Sequence, residues 1–161
     1  MSLQTIDINQ PLIWTPKGWN RKQGYHLTLA NEQIIGELGY VKGFKRKSYA
    51  NTPNFSWILE RASGWSGEIS IFSQANGEES AFLEKQFRKY LLHLRAYPEL
   101  KLLFRQKGIL LKEWFWVDGI TGKPYLVFTQ KSFFFSAYEV EILATADALS
   151  QDVWEMLLPL G

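Results

Sequence analysis

The residue types that carry most enzymatic chemistry are sparse in this chain and poorly spaced for it. His26 and His93 are the two histidines, and neither has a second His, a Cys or a paired carboxylate at metal-ligand spacing, so both read as structural. Glu78-Glu79 sits beside a turn, and Glu139 and Glu141 share the wet face of an alternating segment, where solvation rather than acid–base work accounts for them. Ser63-Gly64-Trp65-Ser66-Gly67 sets two serines among glycines without the strand-turn-helix frame of a nucleophile elbow, and reads as a hairpin loop. Asp118-Gly119 and Asn76-Gly77 are turns rather than phosphate cradles, because no Gly-rich loop leads into a helix. There is no cysteine, which excludes disulfides, thiolate metal sites, a cysteine nucleophile and S-acylation. A non-enzymatic protein without metal or cofactor is expected.

Binding chemistry is better represented. Lys42-Gly43-Phe44-Lys45-Arg46-Lys47 interleaves cations with an aromatic ring, and Arg88 and Lys89 carry the same character further along, with Lys17, Arg21 and Lys22 as further members. Each Lys or Arg near anionic lipid contributes about 1 kcal/mol, and aromatic rings favour the membrane interface. The expected site is Lys42, Phe44, Lys45, Arg46, Lys47, Arg88 and Lys89, with anionic lipid headgroups or another protein as partner. The same interleaving can track single-stranded nucleic acid, a partner that the small net charge of +2 favours less, and it can also be a solvated loop. That net charge hides a polarised distribution. Residues 1–50 hold seven Lys/Arg against three Asp/Glu and residues 84–131 ten against four, whereas residues 132–161 hold five acids and no Lys or Arg.

These residues need a frame. A chain of 161 residues that is 46% apolar and 16% aromatic is long enough for one well-filled domain. Its frame announces itself as a repeat: Asn31, Asn76 and Thr121 lie 45 residues apart, and each opens a polar turn, an apolar strand, a Lys-aromatic junction and a further strand. Period-2 alternation in Tyr25-Leu27-Leu29, Ile69-Ile71 and Tyr138-Val140-Ile142 predicts strands with one buried face. The run Ile109–Val117 reads as a strand covered on both faces, with Trp114 and Trp116 at the same parity. Residues 78–97 carry Leu83, Phe87, Tyr90, Leu91 and Leu94 at helical spacing, so an α+β fold with a helix there is the alternative; the repeat instead predicts two strands joined near Gln86 to Lys89.

At the C-terminus, Thr145 or Ser150 can cap a helix that Pro159 ends, and the nearly all-round apolar character of Leu149, Val153, Trp154, Met156, Leu157 and Leu158 marks it as buried. The predicted architecture is one all-β domain over residues 1–161: an N-terminal arm at 1–20, antiparallel barrel strands over 24–144, and a central helix over 146–158. A hydrophobic-ligand barrel, the further alternative, needs an open interior, which such a helix would fill. Met1 to Asp7 lacks a signal peptide's basic and apolar regions, and the longest apolar stretches fall far short of the roughly 20 residues that cross a bilayer. The expected location is the cytoplasm, peripheral at a membrane.

The stretch Thr121-Gly122-Lys123-Pro124-Tyr125-Leu126-Val127-Phe128-Thr129-Gln130-Lys131-Ser132-Phe133-Phe134-Phe135, followed by Tyr138-Glu139-Val140-Glu141-Ile142 and the apolar terminal helix, resembles the end of a LURP-one-related or bacterial tubby-like sequence. The resemblance to this tubby-like, scramblase-like superfamily covers roughly residues 24–160. It implies a closed antiparallel barrel threaded by its own C-terminal helix, in a group that includes phosphoinositide binders. A cysteine cluster, a Pro-rich N-terminal region and a calcium loop are missing, so scramblase activity does not carry over.

Overall fold

The computed structural model describes residues 5–7, 9–18, 23–62, 67–107, 112–131 and 137–161. The strands are β1 (Leu12–Pro16), β2 (Tyr25–Thr28), β3 (Ile34–Tyr40), β4 (Lys47–Asn51), β5 (Ser56–Arg61), β6 (Ile69–Ser73), β7 (Glu79–Gln86), β8 (Lys89–Leu94), β9 (Lys101–Lys107), β10 (Glu113–Asp118), β11 (Pro124–Gln130) and β12 (Tyr138–Ile142). Each pairs antiparallel with its chain neighbours, and β1 pairs with β12 through Leu12↔Val140 and Trp14↔Tyr138, so the sheet closes into a barrel. The fold is the expected all-β barrel with a C-terminal helix.

Closure corrects one expectation. Residues 12–16, assigned to an N-terminal arm, are a wall strand; without β1, the edges of β2 and β12 would be left unpaired. Pro16 is tolerated there because it stands at the strand's end.

Register decides which residues meet inside. Leu27, Ala50, Trp57, Ile71, Ala81, Leu92, Leu102, Trp116, Leu126 and Val140 are buried, and directly paired residues share their face. The opposite parity carries Glu37, Glu84, His93, Lys101, Arg105, Glu139 and Glu141. The same face also carries Ile58, Phe72, Phe82, Leu91, Leu103 and Phe115, so it is mixed rather than uniformly polar. No helix is long and apolar enough to cross a membrane among the described residues.

Residues 78–97 form β7 and β8, with Leu83 opposite Leu92 and Ala81 opposite Leu94. Their helical spacing is overridden because β6 and β9 supply ladder partners on both flanks. Leu91 then lies on the outer face opposite Leu103, and Phe87 at the hairpin tip is 85% exposed.

The repeat is physical. Asn31 Oδ1 accepts the Gln33 N–H at 3.1 Å, Asn76 Oδ1 the Glu78 N–H at 3.0 Å, and Thr121 Oγ1 the Lys123 N–H at 3.3 Å. The next residue is left-handed in all three turns, with φ of 65° at Glu32, 73° at Gly77 and 74° at Gly122. These turns precede β3, β7 and β11, so the first two 45-residue units are four-stranded meanders, β3–β6 and β7–β10; the third contributes β11 and β12, and β1 and β2 complete the wall.

After β12 the chain makes a 3₁₀ turn at Ala144–Ala148 and enters the barrel as α1 (Gln151–Leu157). The continuous helix expected over 146–158 is shorter than that, because Leu149 and Ser150 are extended and Ser150 takes the N-cap position. Val153, Met156 and Leu157 join the core. Trp14 Nε1 donates to the Leu158 carbonyl at 3.0 Å, and Glu155, 0% exposed, accepts from the Thr52 hydroxyl at 2.5 Å and the Asn54 amide at 2.6 Å. Seven helical residues rise only about 10 Å. Among the described residues, the interior is therefore filled near the end where the helix enters and not near the other, a correction to the expected complete plug. A cavity of about 680 Å³ remains on one side of the Pro159–Gly161 tail and one of about 200 Å³ on the other.

Candidate functional site

In an up-and-down barrel every connection from an odd to an even strand lies at one end. Here those connections and their flanks hold Lys42, Lys45 and Arg46 (β3–β4), Arg88 between Lys85 and Lys89 (β7–β8), Lys107 and Lys112 (β9–β10) and Lys131 (β11–β12), with Glu68 (β5–β6) as an acid among them. Among the described residues, the other end has Arg95, Lys101 and Lys123 as its cations, with Glu32, Glu78, Glu99, Asp118, Asp147 and Asp152 around them. The polarisation seen along the chain thus becomes an axial one, cationic where the barrel is open and acidic where the helix enters.

Among the described residues, two exposed phenylalanines crown the cationic end. Phe87 and Phe44 are 85% and 56% exposed on the β7–β8 and β3–β4 hairpins. Arg88 stacks over the Phe87 ring at 5.1 Å, in a tight turn that holds Arg88 at a φ of 59°. Lys47 lies over the Phe44 ring at 5.1 Å. The two hairpins are four strands apart, roughly 19 Å around the wall at about 4.8 Å per strand. The tertiary structure therefore brings Lys42, Phe44, Lys45, Arg46, Lys47, Arg88 and Lys89 to a common rim as two separate clusters.

Not every expected cation is free to bind. Lys47 Nζ lies 3.4 Å from Glu60. Lys17 bonds Glu37 at 2.8 Å and the Tyr49 hydroxyl at 3.2 Å on the outer wall. Burial works against the Lys17 charge, but those two bonds outweigh it and raise its pKa. The Lys17 bond holds the Glu37 carboxyl below the ordinary range against its own desolvation. Arg21 and Lys22 lie outside the described residues. Sequence reasoning missed Arg61, Lys85, Lys107, Lys112 and the exposed ring of Phe87 as rim members. The signal that finds them is the parity of the meander, which sends all Lys-aromatic junctions to one end.

The remaining chemical candidates are structural. His93 Nε2 lies 2.8 Å from Glu84 and its ring stacks on Phe82, and His26 faces outward opposite Glu37. Asp118 accepts the Ile120 and Thr121 N–H groups, both at 2.7 Å; these backbone bonds, that of Thr121 foremost, hold its carboxyl below the ordinary range and close the β10–β11 turn. Desolvation, then the bond to Asp118, raises the Tyr125 phenol. Glu139 pairs with Lys131. Trp114 and Trp116, expected at the same parity, both face inward, Ser63 to Ser66 lie outside the described residues, and no metal-holding group of His, Cys, Asp or Glu occurs among the described ones.

No protein-family model matches the chain, and no curated protein matches it. Among solved structures, the chain is similar to an X-ray structure of a protein from Arabidopsis thaliana, with a TM-score of 0.58 over 97% of each chain at 12% identity. At that identity the likeness concerns the fold alone.

Proposed function

We propose that the protein is a non-enzymatic cytoplasmic module that docks on anionic phospholipid surfaces through the open, cationic end of the barrel. The observation that carries this reading is the coincidence of exposed Phe44 and Phe87 with Lys42, Lys45 and Arg46, with which no carboxylate pairs among the described residues, at the same rim. Cations draw the rim to the surface, the rings enter the interfacial layer, and the acidic end points away, so the axial charge asymmetry also orients the barrel. The resemblance to tubby-like barrels, which include phosphoinositide binders, supports the same reading.

Flotation with phosphatidylserine-containing vesicles tests it against phosphatidylcholine vesicles. Replacing Lys42, Lys45 and Arg46 by Gln removes about 3 kcal/mol at ~1 kcal/mol per cation, a loss on the order of 100-fold. Phe87→Ala is expected to weaken binding about tenfold without changing the melting temperature. Binding that survives the triple substitution unchanged, or that ignores lipid charge, sinks the proposal; a stable stoichiometric protein partner under those conditions would favour an interaction barrel instead.

A further inference from the structure

The cavity that the short helix leaves open is amphipathic in a directed way. Its wall and floor are Leu38, Leu59, Ile69 and Leu83 of the barrel interior together with Leu160 of the tail. Its rim carries Lys45, Arg46 and Arg61, with Tyr40 and Ser48 between them. The registers Leu59↔Ile71, Arg61↔Ile69 and Ile69↔Leu83 put Arg61 on the inward face, at the mouth. The Arg61 N–H donates to the Arg46 carbonyl at 3.0 Å, which holds those two residues side by side. Among the described residues no carboxylate pairs with Lys45, Arg46 or Arg61; the nearest strand acid, Glu60, has the opposite parity and pairs with Lys47.

Three cations at the mouth of a cavity of about 680 Å³ whose deeper wall is apolar describe the complement of one molecule type. A neutral apolar ligand would leave the cations unused, and a small hydrophilic anion would leave the shaft empty. We infer that this cavity binds a single long-chain anionic amphiphile, its chain against Leu38, Leu59, Ile69 and Leu83 and its carboxylate or phosphate head at Lys45, Arg46 and Arg61. The site shares Lys45 and Arg46 with the proposed membrane-docking rim but needs no bilayer, so the two readings stand or fall separately.

Calorimetric titration of the full chain with laurate, myristate and palmitate, each below its micellar concentration, tests the inference. One-to-one binding is expected, with affinity rising about fourfold for each methylene added until the shaft is full. The corresponding alcohols should bind at least tenfold more weakly. Arg61→Gln, at an exposed position, should cut carboxylate affinity at least fivefold and leave alcohol affinity unchanged. Ile69→Trp should block uptake while vesicle flotation persists, which separates this site from the rim. Tighter binding of lysophosphatidate than of myristate would assign the head site to a lipid phosphate, and the reverse order to free fatty acid. Absence of saturable binding, equal affinity for alcohol and carboxylate, or indifference to both substitutions overturns the inference, whether or not vesicles bind.

Discussion

Glu155 should be the chain's most consequential polar residue, and the reason can be worked through bond by bond. It sits on α1 inside the barrel at 0% exposure, and its two oxygens take the Thr52 hydroxyl at 2.5 Å, the Asn54 amide at 2.6 Å and the Gln151 amide at 2.8 Å. Thr52 and Asn54 belong to the β4–β5 connection, so these bonds set the depth at which the helix enters and hence the position of the tail beside the cavity. Glu155→Ala removes the acceptor of two wall donors, at about 1–3 kcal/mol each, so about 4 kcal/mol is expected. For a domain of this size each kcal/mol shifts Tm by about 2–4 °C, which predicts a fall of about 8–16 °C. Glu155→Gln retains the shape. Its carbonyl can face Asn54 and Gln151, its amide can donate to the Thr52 hydroxyl, and that hydroxyl can turn to the Phe55 carbonyl at 3.4 Å, so the cost should stay near 1 kcal/mol. Guanidinium titration monitored by tryptophan fluorescence measures both. Equal losses for the two variants, or an alanine variant within about 1 kcal/mol of the parent, would refute the reasoning.

Other expectations come from single contacts. Trp14→Phe deprives the Leu158 carbonyl of its 3.0 Å donor and should cost about 2 kcal/mol in the same titration. Glu32→Gly should stabilise by about 1 kcal/mol, since Glu32 holds a left-handed φ of 65° where the other two repeats carry glycine; Gly77→Ala and Gly122→Ala should destabilise by a similar amount. Asp118→Asn should lower stability at neutral pH. Because the folded carboxyl is held below its ordinary range, its contribution is complete above the unfolded pKa of about 3.9 and lost as the pH falls through the lower folded value. Melting curves of the parent and Asp118→Asn should therefore converge on acidification; a gap that widens toward acid would contradict the assignment.

Much of this was legible in the residues alone because it is local. The turn chemistry of Asn31, Asn76 and Thr121 acts over two residues, the strand alternation is a property of each segment, and the 45-residue period follows from both. Together they are enough for an all-β meander with an apolar C-terminal helix; the helical spacing of residues 78–97 yields to the repeat in the reading of the sequence and to the ladders of β6 and β9 in the fold. The identity of the cationic residues could also be read directly.

What only the tertiary structure decided are properties of closure and of long-range pairing. That Leu12–Pro16 is a wall strand depends on β12, more than 100 residues away, because a strand exists only where another offers its edge. Lys47 leaves the pool of free cations because register brings it to Glu60, and Lys17 because Glu37 and Tyr49 reach it from neighbouring strands. The cavity is the furthest from local prediction. It results from the mismatch between a seven-residue helix and a wall of twelve tilted strands, a difference in length between two elements that no segment of the chain records by itself.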